Sequence, residues 1–190
     1  LPDELPMVTI QLPIFNEMLV AERLIKKVSE IDYPKDKLEI QVLDDSTDET
    51  TIITKNAVNE YKELGFNIKW YHRKIRTGYK GGALKEALAK SEGEYVAIFD
   101  ADFLPPRNFL NKTIPHFNDE KVGMVQGRWT FTNPNYSFLT KIQKLALDGH
   151  FILEQKGRFL AGHYFSFNGS AGIWRKETIY DAGDWNGDTL

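Results

Sequence analysis

The chain has 190 residues and a net charge of −3, with 42% hydrophobic and 27% charged residues. These are ordinary values for a folded domain and give no reason to expect a nucleic-acid partner. Cysteine is absent from the sequence, which excludes disulfides, thiolate metal sites and a cysteine nucleophile; no apolar run approaches the roughly 18 residues of a spanning helix and no signal-peptide pattern opens the chain, so as given it reads as soluble.

Met7 to Leu12 reads as the first strand, stopped by Pro13. Asn16 is placed to cap a helix in which Leu19, Val20, Leu24, Ile25, Val28 and Ile31 recur at helical spacing, ending before Tyr33-Pro34. Leu38 to Leu43 is the second strand and runs into Asp44-Asp45. Ser46 and Glu49 have the spacing of a capping box, which opens a helix to about Tyr61. Asn67 to His72 is the third strand, and the stretch from Gly78 to Gly82 leads into a helix with Leu84, Ala87 and Leu88 on one face. Tyr95 to Asp100 is the fourth strand, Asn108 to Phe117 a short helix, and Val122 to Gln126 a fifth strand.

Such alternation argues for βαβ units: an α/β fold with a mostly parallel central sheet flanked by helices. After Thr130 the alternation weakens into a longer helix, Tyr136 to Phe151, and a loop rich in glycine and aromatics, Gly157 to Gly172. No linker composition intervenes, so a single domain is expected over 1–190, with a nucleotide-binding half at about 7–130 and an acceptor-side half at about 131–190. The histidines His72, His116, His150 and His163 are scattered without metal-ligand spacing and read as structural or surface residues.

Three strand ends carry polar clusters: Asn16-Glu17, Asp44-Asp45, and Asp100 with Asp102. In a parallel sheet these ends share one edge, where the ligand crevices of open α/β sheets lie. Residues two apart on a strand point the same way, so Asp100 and Asp102 aim their carboxylates at one place. Their mutual repulsion calls for a positive charge between them. A divalent cation carrying a substrate diphosphate fits, because Mg²⁺ takes one or two carboxylates plus phosphate oxygens; the plain alternative is a solvated acidic turn. Asp45 has the chemistry to accept from a base N–H or a ribose hydroxyl. Lys80-Gly81-Gly82 lies at a helix start, where free N–H groups and the dipole favour anions and Lys80 adds a mobile charge for phosphate. Neither the P-loop nor the dinucleotide glycine fingerprint is present. The stretch from Phe167 to Gly172 is small and flexible beside Tyr164, Phe165 and Trp174, which suits a sugar acceptor: room for a ring, a stacking face, amides for hydroxyls.

Together Leu12-Pro13-Ile14-Phe15-Asn16-Glu17, Asp44-Asp45-Ser46, Lys80-Gly81-Gly82, Asp100-Ala101-Asp102, Gln126-Gly127-Arg128-Trp129 and Phe167-Asn168-Gly169-Ser170-Ala171-Gly172 resemble a family 2 glycosyltransferase, most similar to its cellulose-synthase-like branch of glucan and mannan synthases. The resemblance runs from about residue 7 to the last residue. It implies a GT-A fold and inverting transfer of a sugar, glucose or mannose, from a nucleotide diphosphate sugar to a glycan or lipid acceptor. By resemblance, Pro13, Phe15 and Glu17 line the nucleotide pocket, Asp45 with Asp44 beside it holds the uracil or ribose, and Lys80 contacts the diphosphate together with Asp100. Asp100 and Asp102 match the pair that holds Mg²⁺ or Mn²⁺. Asn168, Gly169 and Ser170 match the segment flanking the acceptor.

In this family Asp-Thr-Leu is followed by Thr-Glu-Asp, whose aspartate is the general base. The sequence stops at Leu190, so the resemblance implies a domain truncated at its C-terminus with the base just beyond; Asp184 or Asp188 are weaker candidates. The family's transmembrane helices would then lie outside this chain, which is expected to be the cytoplasm-facing catalytic region of a membrane enzyme. Two other readings stay open: a sugar-nucleotide-binding domain without catalysis, and a nucleotidyltransferase.

Overall fold

A computed structural model describes residues 4–186. Strand β1 (Val8–Ile14) leads to helix α1 (Ala21–Ser29), then to β2 (Leu38–Asp44), α2 (Thr50–Glu63), β3 (Asn67–His72), α3 (Tyr79–Leu88) and β4 (Tyr95–Ile98). Next come α4 (Phe109–Thr113), β5 (Met124–Gln126), α5 (Phe138–Asp148), a π-helical stretch (Gly149–Gln155), α6 (Lys156–Leu160), β6 (Gly172–Arg175) and α7 (Lys176–Asp181). The six strands form one sheet in the order β3-β2-β1-β4-β6-β5. The first four are mutually parallel, and β6 lies antiparallel to both β4 and β5.

The alternation of the strands explains both layers of the core. Val8, Ile10, Leu12 and Ile14 pack with Leu24, Ile25 and Val28 of α1, Ala57 and Val58 of α2, and Phe109 and Leu110 of α4. On the other face Leu43 and Ile98 meet Ala83, Leu84 and Ala87 of α3, and Val96 meets Leu88 and Ile179 of α7. Because helices cover both faces, the polar positions of β1 and β2 are buried as well, and most of their polar atoms are bonded to one another or to β3. Thr9 Oγ1 donates to Glu39 Oε2 at 2.6 Å, Gln11 Nε2 to Gln41 Oε1 at 3.0 Å, and Lys69 Nζ to Glu39 Oε1 at 2.7 Å.

Several local expectations change in the fold. Strand β1 runs through Pro13 to Ile14. The Gln11 carbonyl accepts from Phe99 N on the β4 side, so by the two-residue alternation the missing Pro13 N–H falls on that side too. The pairing of β1 with β4 has already ended there, at Gln11 and Ile98, and no ladder bond is lost. Asn16 is not a helix cap. It sits in the left-handed region (φ 55) and ties two loops together, donating from its N to Ser46 Oγ at 3.0 Å and accepting from Thr47 N at 2.9 Å. That bond takes up Ser46, so the expected capping box does not form and α2 begins only at Thr50. The loop expected from Gly157 stays helical to Leu160, and β6, not anticipated, is the strand that seats the following segment beside β4.

Candidate active site

The ends of β1, β2 and β4 open onto a cleft of about 370 Å³. It is lined by Pro13, Ile14, Phe15, Glu17, Leu43, Asp45, Arg76, Lys80, Ala83, Asp100 and Asp102. Every donor-side residue named from the sequence is therefore in one cavity except Asp44. Asp44 is fully buried and anchors the turn: its carboxylate accepts from Ser46 N at 2.9 Å, Thr54 Oγ1 at 3.1 Å and Trp70 Nε1 at 3.3 Å. Its role is to hold its neighbour Asp45 at the rim.

Asp45 is met by a fork. Arg73 donates through Nε and Nη2 to its two oxygens at 2.7 and 2.6 Å. The remaining Arg73 donors go to Thr77 O at 3.1 Å, Glu86 Oε1 at 3.0 Å and Tyr79 O at 2.8 Å. All five guanidinium N–H groups are used. One side chain thus couples the end of β2 to the loop that delivers α3. Arg76, on the same loop, stacks its guanidinium 3.6 Å from the Phe15 ring centre and lies 3.6 Å from Asp45 Oδ2. Neither arginine was singled out from the sequence, although both follow directly on β3, whose end shares the edge with the clusters that were. Periodicity could not flag them because they serve no apolar face.

The first turn of α3 presents Lys80. Its ammonium bonds the Asp100 carboxylate and donates to Gly169 O at 2.8 Å. A positive charge therefore does sit at the aspartate pair, and it comes from the protein itself. A Cβ at Gly82 would stand 2.1 Å from Thr77 O, so this glycine admits the chain's own loop.

Burial raises the pKa of the Asp100 carboxyl, with Lys80 opposing and Asp102 adding to the rise. Burial likewise raises that of Glu17, offset in part by a hydrogen bond from the Phe15 backbone and reinforced by Asp102 and Asp100. Three carboxylates thus feel one another across the cleft. The desolvated acidic end and the cationic Arg76 and Lys80 make a site that takes a ligand carrying both anionic and donor groups.

On the far side, Ser170 Oγ accepts from Asp100 N at 2.9 Å, and Ala171 N donates to Ile98 O at 2.8 Å, so the segment that follows Phe167 is stitched to β4. Gln126 at the end of β5 shapes it: Oε1 accepts from Asn168 N at 3.1 Å, and Nε2 donates to Ser170 O at 3.0 Å and Ala171 O at 3.2 Å. Asn168 Oδ1 accepts from Gln155 at 3.1 Å, while its Nδ2 is buried without a partner among the described residues. His150, expected to be structural or on the surface, lies in this cluster, 3.0 Å from Glu154 and 3.5 Å from Asn168 Oδ1. Asp184 does not line the cleft; it is 3.6 Å from Lys85 on the outer side of α3. Asp188 lies outside the described residues.

A mostly parallel sheet with this edge, in which the antiparallel β6 lies between β4 and β5, is the architecture of GT-A glycosyltransferases. The mannosyltransferase PcManGT from Pyrobaculum calidifontis, solved in complex with GDP-Man and Mn²⁺, is similar over 99% of this chain and 50% of its own, with a TM-score of 0.73 and 26% identity. S. aureus TarS 1-349 in complex with UDP-GlcNAc shares the fold at a TM-score of 0.62 and 20% identity, over 93% of this chain and 47% of its own. At the level of sequence, the model of glycosyl transferase family 2 matches residues 9–177, and the chain belongs to that family. It is 44% identical, over 98% of its length, to a protein of Oryza sativa subsp. japonica described as probable glucomannan 4-beta-mannosyltransferase 7, which puts it in the glucan and mannan synthase branch. The chain spans 33% of that relative's length.

Proposed function

We propose that this chain is the donor-binding, catalytic region of an inverting hexosyltransferase. It takes mannose or glucose from a nucleotide diphosphate sugar and passes it to a glycan or lipid acceptor. The observation that carries the reading is the single cleft that gathers Phe15, Glu17, Asp45, Lys80, Asp100 and Asp102 at the carboxyl edge of the sheet. The names of the rice relative and of the archaeal neighbour both speak of mannosyl transfer, and the latter was solved with GDP-Man, which favours GDP-mannose.

The site fits a divalent cation. Asp100 and Asp102 supply hard oxygen ligands at one end of the cleft, and their mutual repulsion is of the kind a cation relieves. Among the described residues no three histidine or acidic side chains gather into a ready metal cage, so donor phosphate oxygens and water would complete the shell of Mg²⁺ or Mn²⁺. Bound there, the ion would neutralise charge on the departing nucleoside diphosphate. The protein does the rest. Asp45, locked by Arg73, accepts from the base or ribose; Phe15, with Arg76 on its face, offers a stacking surface; Lys80 counters the diphosphate charge. Asn168, Gly169 and Ser170, braced by Gln126, bound the acceptor side. The acceptor hydroxyl's proton goes to a base outside this chain, and within a single domain residues at about 7–130 form the nucleotide-binding half and those at about 131–190 the acceptor-side half. Among the described residues no helix is long and apolar enough to cross a membrane. The resemblance to membrane-bound synthases supports attachment through other segments, with this region facing the cytoplasm.

Calorimetric titration with GDP-mannose and with UDP-glucose tests the reading. One donor should bind in Mn²⁺, and binding should weaken at least about tenfold, roughly 1.4 kcal/mol, in EDTA or with Asp102→Asn. Donor affinity indifferent to both changes would sink the metal-dependent mechanism.

A further inference from the structure

The helical run at 138–160 is built unlike the rest of the molecule. No side chain of α5 is buried. Phe138, Ile142 and Leu145 follow the i, i+4, i+7 spacing of one helical face, and that face looks outward, with Phe138 79% and Leu145 73% exposed. The π-helical turn that follows keeps Phe151 and Gln155 against the body, each 7% exposed, while Leu153 between them stands 75% exposed. The apolar stripe therefore continues through the whole run instead of rotating into the core. Tyr136 and Tyr164, 82% and 98% exposed, mark its two ends.

The stripe's charge is as distinctive. In a chain of net charge −3, this run carries Lys141, Lys144, Lys156 and Arg158 against only Asp148 and Glu154. Lys144 pairs with Asp148 and Arg158 with Glu154, which leaves the ammonium groups of Lys141 and Lys156 without an ion pair or hydrogen bond among the described residues. A convex helix with an apolar face, surplus lysines and tyrosines at its margins has the composition of helices that lie in the plane of a bilayer interface. The lysine stems run along the apolar surface and their heads reach the headgroups, while tyrosine rings suit the same depth.

We propose that the outer face of residues 138–160 docks on the surface of a bilayer carrying anionic headgroups, in addition to any attachment through other segments. A fluid acyl surface meets a convex helix without needing a complementary shape, and the surplus of positive charge selects anionic lipid.

Co-sedimentation with vesicles of phosphatidylcholine, with and without phosphatidylserine, tests this. The protein should bind the anionic vesicles and be released as salt shortens the reach of the lysines. Replacing two exposed leucines, Leu145→Glu with Leu153→Glu, should lower binding at least about tenfold by removing the inserted apolar area. Lys141→Glu with Lys156→Glu should weaken binding to anionic vesicles by about fivefold per charge and leave neutral vesicles unaffected. Both variants should keep the wild-type melting temperature and donor titration, which separates lost docking from lost folding. A failed donor titration would count against the proposed activity and leave vesicle binding as it is. Wild-type protein that ignores anionic vesicles, or binding untouched by the leucine changes, overturns the proposal. So does a concentration-dependent dimer abolished by the same leucine changes, which would give the face to a second copy of the chain.

Discussion

Lys80, in the first turn of α3, holds Asp100, at the end of β4, and in the same grip holds the carbonyl of Gly169 from the opposite side of the cleft. One ammonium therefore joins the start of α3 and the end of β4 to the loop that holds Gly169. Lys80→Met should weaken donor binding at least about tenfold, because the diphosphate loses its counter-charge and Asp100 its partner. Lys80→Arg should recover part of the affinity. Titration of the two variants against wild type is the check, and equal affinity in all three would remove Lys80 from the site.

Arg73 spends all five donors in fixing Asp45 and the loop ahead of α3. Hydrogen bonds to Asp45 are the largest influence raising its pKa, so it stays charged throughout the accessible range. Arg73→Ala leaves the nearly buried Asp45 without its main partner and should cost about 3 kcal/mol in urea unfolding. Arg73→Lys keeps the charge but loses the planar fork, and it should lower donor affinity even where the stability loss is smaller.

Lys69 compensates Glu39, which is fully buried between β1 and β3. Burial alone would lower the pKa of its ammonium, but the bonds to Glu39 and Glu92 outweigh that and raise it. The Glu92 carboxyl is held low by Lys69 and then by Asn67. The contribution of Lys69 is complete below about pH 10 and is lost as pH rises through its raised folded value; that of Glu92 is complete above about pH 4 and is lost as pH falls through its depressed one. Stability should therefore plateau between these limits. Lys69→Met should destabilise at neutral pH by about 3 kcal/mol, since it strands the Glu39 charge. It should also flatten both edges of the plateau, as thermal melts across pH would show.

Gly82→Ala drives a methyl group into the Thr77 carbonyl. Shifting that backbone should cost about 1–3 kcal/mol and displace Lys80 two residues earlier, so donor affinity should fall along with the melting temperature. Gly149→Ala, where a Cβ would meet nothing within 4 Å among the described residues, is the control: it sits in a helical stretch, so it should leave donor affinity unchanged and not lower the melting temperature.

The elements before Thr130 were legible because buried strands and helices announce themselves through local apolar runs and spacing, as in β4 and in the apolar face of α3. The cleft was legible for a different reason: in a parallel sheet every strand end lies on one edge, so Glu17, Asp45, Asp100 and Asp102 had to meet once the strands were known. Local rules failed where a side chain had a better distant partner. Asn16 and Ser46 were read as caps and instead bond each other across two loops.

The sequence alone determined the α/β class, the edge on which the acidic residues gather and the family to which the chain belongs, since these follow from periodicity and from motifs short enough to read in a line. Only the tertiary structure decided that β6 runs antiparallel between β4 and β5, that Arg73 locks Asp45, and that Lys80 rather than a ligand is the first cation at Asp100. Those are pairings between charges and strands far apart in the chain. Their partners are chosen by the geometry of the folded sheet, which no local pattern encodes.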